Sequence, residues 1–190
     1  MVAMTAAGPK RLSQYGTSMI EVLITVVILA IGLLGLAGLQ SRLGVSQVES
    51  YQRTQALMLL QDMSSRLATN RAHAASYVTG TTNPLADGGV CPLLAGTRAE
   101  IDANQWCNAL LGAAEIEGGS KAGAMIGARG CVEALSSNEY LITVAWQGIA
   151  PVASPPASLG CGQGAYDDAQ CPGDLCRRAV TTLVRIADLK

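Results

Sequence analysis

Six cysteines are the residues of this chain best suited to covalent chemistry, and all lie between residues 91 and 176. They are Cys91, Cys107, Cys131, Cys161, Cys171 and Cys176. An even number of cysteines in a chain with an N-terminal apolar segment is typical of disulfide bonding in an oxidising compartment. Zinc is the alternative, but its ligands usually occur as closely spaced cysteine pairs, and only CPGDLC approaches that spacing. We therefore expect disulfides and no metal, with the pairing left open by the sequence.

Other side chains with catalytic or metal-binding potential lack partners at suitable spacing. His73 is the only histidine, so a catalytic triad or a histidine metal cluster is not expected, and its side chain should be solvated. Ser136 and Ser137 have no paired histidine to activate them. Three aspartates lie in a loop that lacks EF-hand spacing, and we expect that loop to be solvated. They are Asp167, Asp168 and Asp174. These observations predict neither an enzyme nor a cofactor.

The composition narrows the possible partners. The chain has 190 residues, a formal net charge of −1 and no basic block, which argues against a nucleic-acid partner. It is 49% hydrophobic, but the apolar residues are concentrated near the N-terminus. Trp106 and Trp146 lie in a helical and a strand pattern respectively and are expected in a core.

An apolar segment over residues 19–39 has the length of a membrane span. As a helix it rises about 31 Å, enough to cross a bilayer core. Lys10 and Arg11 are the only charges before it, and positive charge there predicts a cytoplasmic N-terminus and a C-terminal domain on the opposite side of the membrane. No small-residue cleavage site follows the segment, so we expect the span to be retained. Gly32, Gly35 and Gly38 are consistent with either close helix packing or local unwinding.

The apolar segment continues into an amphipathic one without a helix-breaking residue. Helical spacing relates Leu43, Ala56, Leu60, Met63 and Leu67, with Tyr51 and Leu59 close to the same face. This stripe should pack against the globular domain. The opposite, polar side is expected to carry Arg42, Glu49, Arg53, Asp62 and Arg66. One helix is therefore predicted from about Thr17 to about Ala74.

The rest of the chain is rich in glycine and proline and predicts short elements. "IDANQWCNALLG" suggests a helix with Asp102 near its start. Strand periodicity is clear in "EYLITVAWQG" and "AVTTLVRI", and a third strand is expected near residues 129–135. The expected fold class is α+β, with a long N-terminal helix packed on a small antiparallel sheet. We expect four segments along the chain. They are a leader (1–16), the transmembrane half of the helix (17–40), its amphipathic half (41–75) and a disulfide-bonded globular domain (76–190).

Glu21 is the charge that composition alone does not explain, because it stands at the front of the span, five residues after Gly16. A basic leader ending in glycine, a glutamate at the fifth position and an unbroken apolar helix resemble the class III signal of type IV prepilins and pseudopilins. The resemblance implies that a prepilin peptidase cuts between Gly16 and Thr17 and methylates Thr17. It also implies that Glu21 takes part in assembly. Most members of the family have Phe or Met at the position of Thr17. This departure weakens the case for methylation but not the case for cleavage.

Further segments resemble minor pilins of the PilV kind, in the same order along most of the chain. They are "MIEVLITVVILAIGLLGLAGLQ", "ALMLLQDMSSRLATNRAHAASY", "DANQW" and "YLITVAWQG". The resemblance implies a structural subunit that primes type IV pilus assembly and so supports motility or adhesion. Its implied partners are the major pilin, other minor pilins and a pilus-tip adhesin. A type II secretion pseudopilin is the alternative, and a membrane-anchored periplasmic protein that never polymerises is a third.

Overall fold

A computed structural model describes residues 18–94, 96–113, 116–117, 120–121 and 125–187. Among them lie α1 (Met19–Thr69), a 3₁₀ segment (Arg71–Tyr77), a 3₁₀ turn (Asp87–Gly89), α2 (Arg98–Leu110), β1 (Ile116–Glu117), β2 (Ser120–Lys121), β3 (Ile126–Ser136), β4 (Glu139–Gln147), a 3₁₀ turn (Pro172–Asp174) and β5 (Arg177–Arg185). The long helix and the antiparallel sheet confirm the predicted α+β class. The chain divides after Gly44 into two compact units.

Helix α1 runs through the glycine-containing apolar segment without interruption, and Gly32, Gly35 and Gly38 are all helical. It ends at Thr69, short of the predicted end near Ala74. Asn70 leaves the helical conformation, and the chain continues as tighter 3₁₀ turns that bury Ala74 and Tyr77. The predicted boundary was therefore wrong, because burial of these two side chains outweighs continuation of the α-helix.

Within the second unit, one face of α1 packs into the core. Ala56, Leu60, Met63 and Leu67 are buried as predicted. Leu43 and Tyr51, which were predicted to lie on or near this stripe, are instead exposed. Gln52 is buried, which the apolar pattern did not predict. The first fully buried residue of this face is therefore Gln52.

Helix α2 begins earlier than the sequence suggested. Thr97 accepts a hydrogen bond from the Glu100 N–H at 3.3 Å, and Glu100 accepts one from the Thr97 N–H at 3.0 Å. This reciprocal capping box satisfies two of the unpaired donors at the helix start. Asp102 therefore lies inside the helix, where its side chain is 1% exposed, and does not mark the helix start.

The main sheet has the strand order β3-β4-β5, with both pairings antiparallel. The structure confirms both strands with clear periodicity, and β3 includes the third strand expected near 129–135. Tyr140, Ile142, Val144 and Trp146 are buried on one face of β4, as the alternation predicted. The two-residue hairpin strands β1 and β2 were not predicted, because each is too short to show periodicity.

The core between helix and sheet depends on close approach of α2 to β3. Trp106 is fully buried, and its indole N–H donates to the Leu59 carbonyl at 2.8 Å. A Cβ atom on Gly130 would lie only 2.2 Å from the Trp106 ring. Glycine at position 130 thus lets the indole lie against the strand backbone. Trp146 is buried as well, so both tryptophans occupy the core as expected.

Candidate assembly site

The start of α1 places one carboxylate in an apolar helix turn. The Ser18 hydroxyl accepts a hydrogen bond from the Ile20 N–H at 3.4 Å, and the Ser18 carbonyl accepts one from the Glu21 N–H at 2.9 Å. Glu21 lies in this first turn, where the positive end of the helix dipole favours a negative charge. Its side chain is exposed and has no ion-pair partner among residues the structure describes. The carboxylate is thus free to bind a group from outside these residues.

The helix beyond Glu21 presents an apolar surface on all sides. Every residue from Met19 to Gln40 is exposed, and Glu21 is the only charged residue among them. By length and composition this helix can span a membrane. Such a continuous apolar surface is costly in water. Lipid or an apolar protein partner is therefore expected to cover it.

Four residues with predicted roles in processing or membrane topology lie outside the described residues. They are Lys10, Arg11, Gly16 and Thr17. The cleavage position, the methylation of Thr17 and the topology signal therefore stay predictions.

In the second unit, Glu49 of α1 is bound at the start of β5. Its Oε1 lies 3.1 Å from Arg178 Nη2 and accepts the Ile149 N–H at 3.1 Å. Burial by itself raises the pKa of Glu49, but the hydrogen bonds and charge of Arg178 and the backbone N–H groups lower it overall. Glu49 was expected on the polar side of the helix, and no partner was predicted for it. It instead joins the helix to the sheet.

Arg66 forms a second link from α1 to the globular part. Its Nη1 lies 2.9 Å from Asp102 Oδ1, and its Nε lies 3.0 Å from Asp62. Asp102 also accepts the Tyr77 hydroxyl at 2.6 Å and pairs with Arg98 at 3.1 Å. Burial raises the pKa of Asp102, but the Tyr77 hydrogen bond and the two guanidinium groups lower it overall. Arg66, like Glu49, is thus part of the helix-to-domain contact.

The six cysteines form three disulfides. The pairs are Cys91–Cys107, Cys131–Cys161 and Cys171–Cys176. The first joins the loop before α2 to that helix. The second joins β3 to the loop after β4, and the third closes the turn before β5. The pairing could not be chosen from spacing, because it depends on which loops the sheet brings together.

The sequence suggested that the loop with the three aspartates is solvated. The structure shows that part of this loop is buried. Asp174 is buried and pairs with the buried Arg177 at 3.1 Å. Asp167 and Asp168 accept backbone N–H groups of the same loop. The aspartates hold the turn before β5, so internal hydrogen bonding explains them. Among the residues with described positions, no group of three His, Cys, Asp or Glu side chains is arranged to hold a metal ion.

The other residues that were considered for catalysis or metal binding lie on the surface. His73 is exposed, in agreement with the prediction of a solvated side chain. Ser136 and Ser137 lie at the β3–β4 turn and are exposed.

A long helix with an apolar first half, whose second half packs on a three-stranded antiparallel sheet, is a pilin-like architecture. The disulfides suggest that the globular part lies outside the cytoplasm. Comparison with protein-family models, with curated proteins and with solved structures finds no match.

Proposed function

We propose that this chain is a minor pilin, a structural subunit that enters a type IV pilus and helps to start its assembly. One observation carries the proposal: the apolar half of α1 exposes every residue and bears a single charge, Glu21, in its first turn. A simple membrane anchor has no need for that carboxylate, since acidic residues in membrane spans are costly and usually functional. The class III signal that precedes Glu21 supports the same role.

We propose that the subunit first lies in the membrane and, after cleavage, enters the filament. The uncleaved chain lies in the inner membrane, with residues 1–16 in the cytoplasm and the disulfide-bonded domain in the periplasm. A prepilin peptidase removes residues 1–16 and methylates Thr17. The subunit then leaves the membrane, and α1 exchanges lipid for the apolar helices of other pilins. Other minor pilins, the major pilin and a tip adhesin are the proposed partners, and the role requires neither catalysis nor a cofactor.

Glu21 has a defined task in this scheme. Cleavage creates an amine at Thr17, which is mostly protonated at neutral pH because its ordinary pKa is about 7.7–8.0. In the membrane, Glu21 lies within reach of the headgroup region. In the filament that solvation is lost, and the carboxylate pairs with the Thr17 amine of a neighbouring subunit. Removal of one partner from a buried ion pair costs about 3–5 kcal/mol.

The test is incorporation of Glu21→Ala into pili sheared from cells. We expect normal amounts of processed protein in the membrane but at least a tenfold lower amount in the pilus fraction, measured by quantitative immunoblot. Thr25→Ala is the matched control, because the Thr25 hydroxyl donates only to the Val22 carbonyl of its own helix. Incorporation of Glu21→Ala at the wild-type level would show that the carboxylate has no such role.

Deletion of the gene distinguishes a minor pilin from a type II secretion pseudopilin. A type II secretion pseudopilin would have the same helix and processing signal but would support protein secretion. Deletion of the gene should reduce surface pili and leave type II secretion intact. The opposite result would favour a pseudopilin.

A further inference from the structure

The outer edge of β5 has backbone groups available for pairing. The Ile186 N–H donates to the Asn138 carbonyl, and the Gly148 N–H donates to the Cys176 carbonyl. In the β4–β5 register these bonds identify the even-numbered residues as the hydrogen-bonded pairs. The odd-numbered residues Ala179, Thr181 and Leu183 therefore direct their N–H and C=O groups away from β4.

The two edges of the sheet differ in whether their backbone groups are hydrogen-bonded. At the β3 edge, Leu85 exchanges two backbone hydrogen bonds with Gly130, and the Thr79 and Gly80 N–H groups donate to the Val132 carbonyl. At the β5 edge, no other described segment of the chain forms backbone hydrogen bonds with these outward groups. Thr181 and Leu183 are also exposed. An open edge of this kind is a template for an added strand.

A cavity of about 260 Å³ lies beside the first half of this edge. Trp146 and Val152 give it apolar walls, and Arg53 and Arg178 give it positive charge. Arg178 is compensated by Glu49. Arg53 is exposed and has no ion-pair partner in the portion of the chain with described positions. The cavity thus carries one uncompensated positive charge next to an unpaired strand.

We propose that the β5 edge binds an extended segment of another protein, with an acidic side chain of that segment held at Arg53. The added strand would pair with Ala179, Thr181 and Leu183, and backbone hydrogen bonds would supply most of the affinity. The cavity would supply side-chain specificity. A second copy of β5 fits less well, because the sequence RRAVTTLVR has no acidic residue to offer Arg53. The site does not require that the chain polymerise, so it goes beyond the pilin role.

A direct test measures binding of two labelled peptides to the full-length protein in detergent micelles. The probes are STVTVEVTVS and STVTVKVTVS, which differ only in the central residue, and the readout is fluorescence anisotropy. We expect saturable binding of the glutamate peptide and at least tenfold weaker binding of the lysine peptide. Arg53→Glu should reverse this preference. Arg71→Glu is the matched control, because Arg71 is another exposed arginine with no ion pair among the described residues, and it should change neither affinity.

Thr181→Pro tests the strand pairing itself. Proline removes the outward N–H of residue 181 but no hydrogen bond to β4, and proline is tolerated on edge strands in that orientation. The variant should keep the wild-type circular dichroism spectrum and lose at least tenfold in affinity for the glutamate peptide. Equal affinity for the two peptides, no saturable binding, or unchanged binding by folded Thr181→Pro would overturn the proposal. Concentration-dependent self-association that Thr181→Pro abolishes would also overturn it, since the occupant would then be a second copy.

Discussion

Glu49 and Arg178 form an ion pair across a sequence separation of 129 residues, with Glu49 Oε1 3.1 Å from Arg178 Nη2. Arg178 also donates to the Ala150 and Leu175 carbonyls, so its guanidinium joins helix α1, β5 and the loops that flank β5. Gly148 makes room for this arrangement, because a Cβ there would lie 2.6 Å from the guanidinium carbon. The pair marks the place where the amphipathic part of α1 begins its contact with the globular domain.

Removal of the Glu49 carboxylate should weaken that contact. Hydrogen bonds to charged groups typically contribute about 1.5–3 kcal/mol, and both partners are partly buried. We expect Glu49→Ala to lower the free energy of unfolding of the globular part by this amount, measured by chemical denaturation. The control is Glu139→Ala, which removes a pair with the largely exposed Arg185 and should cost less than about 1 kcal/mol. Equal losses in the two variants would contradict the role given to Glu49.

The contact between Gly130 and Trp106 should not tolerate a side chain at position 130. Gly130→Ala places a methyl group where the Trp106 ring now lies, and overpacking of a core typically costs about 1–3 kcal/mol, occasionally more. We expect a loss near the top of that range in thermal denaturation. Gly96→Ala is the matched control, because nothing lies within 4 Å of a Cβ at Gly96. A Gly130→Ala protein as stable as Gly96→Ala would show that the indole can move away without cost.

Stability should fall in acid, partly through Asp102. The pKa of Asp102 is lowered in the folded protein from its ordinary value of 3.8, because Tyr77, Arg66 and Arg98 outweigh the effect of burial. Its stabilisation is therefore complete above the unfolded value and is lost as the pH falls below it. We expect the melting temperature to decrease less steeply on acidification in Asp102→Asn than in the wild type.

Three other carboxylates with shifted pKa values also affect the pH dependence of stability. The pKa values of Glu49 and Glu100 are lowered, so both contribute a loss of the same sign as Asp102. Burial raises the pKa of Glu133, so its contribution has the opposite sign and is lost as the pH rises. All three remain present in Asp102→Asn, so the difference in slope between this variant and the wild type isolates Asp102. Identical slopes would mean that the network around Asp102 does not depend on its charge.

The disulfides should differ in how much they stabilise the fold. Cys131 and Cys161 are 30 residues apart, whereas Cys171 and Cys176 are 5 apart. In the chain-entropy description, the longer loop gives about 1.6 kcal/mol more stabilisation. We expect Cys131→Ser with Cys161→Ser to lower the free energy of unfolding more than Cys171→Ser with Cys176→Ser. The reverse order in chemical denaturation would contradict this ranking.

Much of the fold could be predicted from the regular spacing of apolar residues in the sequence. The buried stripe from Ala56 to Leu67 and the alternation in β4 were visible because one face of each element meets the core. The pairings that join distant segments were not visible, since neither the Glu49–Arg178 pair nor the disulfides leave a local pattern. Asp174 and Arg177 are only three residues apart, but the burial of Arg177 was missed because its guanidinium donates to the carbonyls of the distant residues Leu159 and Cys161. Glu21 stood out in the sequence because it is the one charge in the apolar half of α1.

Processing by a prepilin peptidase is the most direct measurement of the proposed pilin identity. The intact mass of the full-length protein is determined after co-expression with an active peptidase, with a known prepilin as positive control. We predict loss of residues 1–16 and a new N-terminus at Thr17, and we predict that Gly16→Val blocks the cut because the peptidase must approach a residue without Cβ. A wild-type protein that retains residues 1–16 while the control prepilin is cleaved would contradict the proposal.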